Sequence, residues 1–320
     1  MSKADLTIAV DAMGCDLGSS VAIDGVLQAL ETYPKVKFVL VGQEDVIRYE
    51  LAKYKENPQV SILHASEIIT PDEVPTSAIR QKKGSSLVVG LRAVKEGQAS
   101  GFVSAGSTGA LLAGATVIIG RKKGIERPAL GTPIPTKTGF TLLLDCGANM
   151  DCKPSYLAQF GQIGAEYVEK ALGIKNPKVG LINVGTEEEK GNAVAKEAFG
   201  LLKESDINFV GNVEAREIPA GVVDVAVCDG FVGNIVLKFM EGLSKTMMGI
   251  IKEELMSSPM SKMGALLAKG AFGKVKKRFD YREVGGAPFL GLSSLVVKAH
   301  GSSDAYAMKN AIIKCIDFEK

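Results

Sequence analysis

A chain of 320 residues is long enough for one large α/β domain or two smaller ones, and too long for a mini-domain. Lysine plus arginine (38) nearly balances aspartate plus glutamate (36), and the net charge of +2 argues against a dedicated nucleic-acid binder. With 46% hydrophobic and 23% charged residues, disordered, collagen-like and coiled-coil chains are excluded, and 36 glycines promise many tight turns.

Short apolar runs alternate with longer helical patterns along the chain. Strands are predicted at Leu6–Val10, Val36–Val41, Val60–Leu63, Gly101–Val103 and Thr141–Leu144. Three more follow at Val179–Asn183, Ile207–Val210 and Val223–Cys228, with helices at Val21–Thr32, Tyr156–Leu172 and Ala193–Lys203. Strands apolar on both faces, alternating with helices, predict a three-layer α/β/α sandwich around a mostly parallel sheet. Without repeats or a polar linker, residues 1–320 read as a single domain.

In open α/β sheets ligands bind beyond the carboxyl ends of strands. Five strands here are followed by loops rich in small and polar residues, carrying Asp11 and Asp16, Ser104–Ala110, Asp145–Asn149, Gly185–Asn192 and Asp229–Asn234. These loops are expected to converge on one sheet edge. Ser104, Gly106, Ser107, Thr108 and Gly109 form the strongest anion candidate, because small residues let backbone amides approach an oxyanion. The turn is neither a Walker A motif nor G-x-G-x-x-G. Arg80 and Lys190 are candidate phosphate partners, although such side chains are usually just solvated. For each Asp or Asn the competing reading is a helix cap.

The five cysteines (15, 146, 152, 228 and 315) are odd in number, scattered and without a C-x-x-C pair, so neither a disulfide framework nor a zinc ribbon is indicated. No G-x-S-x-G elbow accompanies His64 or His300, which disfavours a serine triad. The first residues lack the apolar core of a signal peptide, and no stretch approaches about 18 uninterrupted apolar residues. A reduced, cytoplasmic protein without metal or organic cofactor is expected.

A helical excursion at about 255–280 differs in kind. Between Ser257 and Phe279 it carries Lys262, Lys269, Lys274, Lys276, Lys277 and Arg278 and no acid. Met256, Met260, Met263 and Leu267 fall on one helical face. Such a stretch suits an anionic membrane surface, an acidic protein partner or a homodimer interface.

Eight motifs occur in order: Val10–Gly14, Ser104–Leu112, Gly124–Leu130, Asp145–Asn149, Lys190–Asn192, Asp229–Asn234, Gly285–Pro288 and His300–Asp304. Together they closely resemble the PlsX family of bacterial phosphate acyltransferases, over nearly the whole chain. Cys15, Ser107 and Thr186 depart from the residues usual there. The resemblance implies a fold similar to isocitrate and isopropylmalate dehydrogenases and phosphate acetyltransferases. It implies conversion of fatty acyl-[acyl-carrier-protein] and inorganic phosphate to acyl phosphate and free carrier protein, in phospholipid synthesis. It also implies a homodimer, peripheral association with the inner membrane face, and contact with a glycerol-3-phosphate acyltransferase. On this reading phosphate sits at the Ser104–Gly109 turn, aided by Lys190 and Arg80. Asn149, Asn192 and Asn234 orient phosphate or polarise the thioester carbonyl, and Asp229 orients a cationic partner. The rival readings are phosphate acetyltransferase-like chemistry on coenzyme A thioesters and a non-catalytic membrane scaffold.

Overall fold

The computed structural model describes residues 6–318. Eleven strands form one sheet: β1 (Thr7–Asp11), β2 (Lys37–Gly42), β3 (Val60–His64), β4 (Gly101–Ser104), β5 (Ala129–Thr136) and β6 (Gly139–Leu144). The remainder are β7 (Val179–Asn183), β8 (Phe209–Glu214), β9 (Val225–Val227), β10 (Ala287–Leu290) and β11 (Leu295–Lys298). The helices begin with α1 (Ser19–Thr32), α2 (Glu44–Leu51), α3 (Pro75–Gln81), α4 (Ser86–Lys95), α5 (Thr108–Gly114) and α6 (Pro154–Leu172). They continue with α7 (Ala193–Lys203), α8 (Gly230–Leu255), α9 (Pro259–Leu267), α10 (Lys269–Arg278), α11 (Tyr281–Val284) and α12 (Ala305–Phe318).

The sheet order is β3-β2-β1-β4-β11-β10-β5-β6-β9-β7-β8. Most neighbours are parallel, and the α/β/α reading holds. Ile8, Val10, Phe38, Leu40 and Val103 pack under α1 and α12, while Ala9, Val41 and Phe102 face α4 and α5 on the other side. In the second half Leu142, Leu144, Val179 and Val225 lie under α6 and α7. Burial of both strand faces is why these runs are continuously apolar.

Three strands that the sequence did not reveal change the topology. β10 runs antiparallel to β11, β5 to β10 and β6 to β5. β6, β9, β7 and β8 are parallel to one another and therefore run opposite to β1–β4 and β11. The expected convergence of five loops on one edge is corrected accordingly. The loops after β1, β4 and β11 leave one edge, and those after β6, β7 and β9 leave the other. What joins the two sets is the antiparallel centre of the sheet and the helix laid across it, α8.

Candidate active site at the junction of the sheet halves

One wall grows from β1 and its neighbour β4. Asp11, buried at the end of β1, accepts the Ser104 hydroxyl at 2.7 Å and the Met13 amide at 3.0 Å. Ser104 Oγ in turn accepts the Gly106 amide at 3.0 Å. Burial pushes the Asp11 carboxyl above its usual range, opposed by these donors and by Ser86 and Gly14. Gly14 is glycine because of proximity: a Cβ there would stand 2.6 Å from both Asp11 Oδ2 and the Gly106 amide nitrogen. Ser107 caps α5 through the Ala110 amide. The amides of Ser107, Thr108 and Gly109 enter the helix without intrahelical acceptors.

The opposite wall is built on Asp145, fully buried after β6. Its carboxylate accepts the amides of Leu130 (3.0 Å), Ala148 (3.1 Å) and Asn149 (2.6 Å), and the Asn149 side-chain amide at 2.9 Å. Asn149 Nδ2 also reaches Pro128 O at 2.8 Å, and Asn149 O accepts the Gly230 amide at 2.7 Å. Asp229 caps α8 through Val232. This cradle seats the start of α8 so closely that a Cβ on Gly233 would fall 1.8 Å from Asp145 O.

Between the walls lies a cavity of about 370 Å³. Thr108, Asn234, Lys298 and His300, with Lys238, Glu241 and Asp280, supply polar lining; Leu130, Ile134, Leu237, Met240 and Phe279 make much of the rest apolar. Lys298 ends β11 and is paired with Ser104 of β4. Its Nζ donates to Ala105 O at 3.0 Å and to Ala299 O. Burial lowers its ammonium to about 8, against the opposing influence of Asp16, Asp11 and Cys15. His300 Nδ1 accepts the Ser302 amide at 3.2 Å, which puts the ring proton on Nε2. Burial and the Lys238 and Lys298 cations lower its pKa, opposed by Glu241 and Asp16, so the ring is neutral at pH 7.

Of the residues expected from sequence, Thr108 and Asn234 line the cavity, and Ser104, Gly106, Ser107 and Gly109 build the adjoining turn. The Ser104 hydroxyl is committed to Asp11 and Gly106, so its role is to shape the loop. Asn149 and Asp229 hold the wall. Lys190, Asn192 and Arg80 do not line the cavity. Lys190 is exposed after β7, with its carbonyl accepting Asn183 Nδ2 at 3.0 Å; Asn192 caps α7; Arg80 is exposed on α3. Sequence reading missed Lys298 altogether. The signal was the apolar Leu295-Val296-Val297 ending in a cation beside the His300-Gly301 loop.

The buried thiols are unsuited to nucleophilic work. Burial pushes Cys146 and Cys152 up to about 12 and raises Cys15 and Cys228. Cys15 Sγ lies 3.4 Å from Gly301 O and from Ser303 O, which makes it a packing residue. Among the described residues no group of three metal-type ligands occurs, and no helix is long and apolar enough to cross a membrane.

Beyond the cavity the second half of α8 projects with α9 and α10. Met260, Met263 and Leu267 are exposed (80%, 62% and 85%), as are Lys262, Lys269 and Lys274. Lys277 is 3.8 Å from Glu283, and Arg278 turns back to donate to Thr136 O and Lys137 O. Arg278 thus ties the arm to the β5–β6 hairpin. The Lys276 side chain lies outside those described.

The fold is similar to those of solved phosphotransacetylases and of a protein described as a dehydrogenase. A phosphotransacetylase from Streptococcus pyogenes superposes with TM-score 0.65 at 20% identity, covering 98% of this chain and 95% of that one. EutD phosphotransacetylase from Staphylococcus aureus gives 0.62 at 17%, over 99% and 94%. A Salmonella typhimurium protein described as a 4-hydroxythreonine-4-phosphate dehydrogenase gives 0.55 at 11%, over 98% and 99%. In sequence, the chain is 50% identical over 314 residues to a phosphate acyltransferase of Clostridium novyi, covering 98% of this chain and 95% of that one. It is 52% identical over 310 residues to a phosphate acyltransferase of Clostridium beijerinckii, covering 96% and 93%. The family model described as "Fatty acid synthesis protein" matches residues 6–320. The chain therefore belongs to the fatty acid synthesis protein family and, within it, to the PlsX-type phosphate acyltransferases.

Proposed function

We propose that this phosphate acyltransferase takes a fatty acyl group from the thioester of acyl carrier protein and gives it to inorganic phosphate. The supporting observation is the cavity, whose Thr108, Asn234, Lys298 and His300 share one space with an apolar trough formed by Leu130, Ile134, Leu237 and Met240. A phosphate oxygen attacks the thioester carbonyl carbon, the new C–O bond forms, and the C–S bond breaks with its electron pair leaving on sulfur. A thiol of pKa about 8.5 departs without a strong acid and takes its proton from solvent. The protein's contribution is positioning and oxyanion stabilisation. The Ser104–Gly109 turn receives phosphate, Asn234 polarises the carbonyl, and Asp11, Asp145, Asn149 and Asp229 hold these groups in place.

The test is phosphate-dependent release of free carrier from a long-chain acyl carrier, with acyl phosphate trapped by hydroxylamine. Release with trapping is expected. Equal turnover of coenzyme A thioesters would overturn the carrier assignment, and neither reaction would overturn the enzyme reading. The reading extends to partners. The exposed row Phe231, Ile235, Phe239, Leu243 and Met247 on α8 supports a homodimer seam. The tip bearing Met260, Met263 and Leu267 among lysines supports a peripheral contact with an anionic membrane, where a glycerol-3-phosphate acyltransferase would consume the product. Flotation with anionic vesicles tests the tip; a competent enzyme that stays behind removes it.

A further inference from the structure

Lys298 is badly accounted for as a structural residue. Its carbonyl partners on Ala105 and Ala299 could be satisfied by any neutral donor, whereas an ammonium there carries the cost of desolvation. The same cavity wall carries Lys238, Glu241 and Asp280, but Glu241 pairs with Lys238 at 3.7 Å and Asp280 with Arg282 at 2.6 Å. None of the ion pairs among the described residues includes Lys298. Asp11, from β1, is engaged by Ser104 and Met13. Asp16 is exposed on the following loop, Cys15 is a buried thiol held against Gly301 O and Ser303 O, and His300 is neutral at pH 7. An ammonium has three N–H donors, and two are directed to the carbonyls. The side chain lines the same cavity as Thr108, and its strand lies directly beside the one that feeds the Ser104–Gly109 turn.

We propose that Lys298 binds the inorganic phosphate directly, clamping it against the Ser104–Gly109 turn, and so takes the part that sequence reading gave to Lys190 and Arg80. The assignment rests on the phosphate-acceptor reading above. The incoming dianion supplies an anion in direct contact with the ammonium, which Asp11, Asp16, Glu241 and Asp280 do not. Phosphate then enters a low-dielectric cavity whose cation is already in place, and the thioester meets phosphate already oriented.

The proposal carries a pH signature. Burial places the free lysine near 8, below its ordinary 10.5, so above about pH 8 the unliganded enzyme loses the cation. Inorganic phosphate keeps its charge across most of that interval. With the wild-type protein, kcat/KM for phosphate should fall about tenfold per pH unit above 8, while kcat at saturating phosphate changes little. Lys298→Arg should bind phosphate without that fall, because guanidinium does not titrate there. Lys298→Met should raise the phosphate KM and the calorimetric Kd for inorganic phosphate about 30-fold at pH 7, the size of one lost charged hydrogen bond, with the acyl-carrier KM unchanged. Lys298→Gln, which keeps a donor for the carbonyls, should show the same loss if Lys298→Met fails to fold. A Lys298→Gln or Lys298→Met protein with wild-type phosphate Kd overturns the proposal. Calorimetry without acyl donor keeps this test separate from the reaction: an enzyme that binds phosphate through Lys298 yet releases no carrier would sink the proposed function and leave the site standing.

Discussion

The junction of the sheet halves and the α8–α10 arm use polar and apolar groups in opposite ways. At the junction carboxylates are buried and their contacts are specified: Asp145 accepts four N–H donors and Asp11 holds the hydroxyl that shapes the Ser104–Gly109 turn. In the arm, large apolar side chains face outward, with Leu267 and Met260 among the most exposed. A buried carboxylate with its donors in place tolerates no shift, whereas an exposed apolar face gains energy only when something covers it. The buried carboxylates are thus held by contacts within this chain, and the arm's exposed apolar face gains energy only against a second surface.

Gly233→Ala should break the first half of that contrast most severely. Its Cβ would meet Asp145 O at 1.8 Å and Cys228 Sγ at 3.0 Å, and backbone cannot swing aside as a flexible side chain can. Destabilisation at or above the usual 1–3 kcal/mol of overpacking, roughly 3 kcal/mol or more, is expected in a denaturant titration, together with loss of turnover. A midpoint within error of the wild type would show that α8 is not locked to the cradle. Gly14→Ala comes next. It would push apart the loops after β1 and β4, costing about 1–3 kcal/mol and raising the phosphate KM at least about tenfold. A stability loss with unchanged phosphate KM would separate this wall from the acceptor site.

The same contrast explains what was legible in the sequence. Continuously apolar runs marked the parallel strands, and the reading of Val179–Asn183 and Ala193–Lys203 agrees with β7 and α7 end to end. β5 and β10 escaped because Pro133, Pro135 and Pro288 interrupt their patterns, and β10 and β11 because they follow one another without the helix that separates the parallel strands. Those strands reverse the sheet, so the edge on which each loop emerges was misjudged. Composition found the loops but not the duty of each residue: Ser107, Asn192 and Asp229 proved to be helix caps, the ordinary use of such side chains. Lys298 was hidden because a lysine at the end of an unrecognised strand looks like any solvated lysine.

The arm sharpens the comparison from the other side. Replacing both Met260 and Leu267 with Ser should change the unfolding free energy by no more than about 0.5 kcal/mol and leave the midpoint near that of the wild type, since neither side chain is buried. If a membrane covers them, each replacement forgoes about 1.5–3 kcal/mol of burial, and with both gone binding to anionic vesicles should fall at least about a hundredfold. Unchanged vesicle binding would move the membrane contact elsewhere. A lowered midpoint would mean that the tip already packs on its own chain.

The smallest effect bears on whether the arm folds with the sheet at all. Ser258 caps α9, its hydroxyl accepting the Ser261 amide at 3.1 Å, and α9 has no buried residue among its nine. Loss of such a cap costs about 1 kcal/mol. A helix with so little tertiary burial opens locally, at a free energy below that of global unfolding. In Ser258→Ala, amide exchange within α9 should therefore speed up about fivefold, while exchange in β1 and β4 and turnover stay as they were. Acceleration spread equally over α9 and the central strands would mean that one cooperative unit spans both regions. In that case the arm's exposed face would be paid for by the core, and the division drawn between junction and arm would fall.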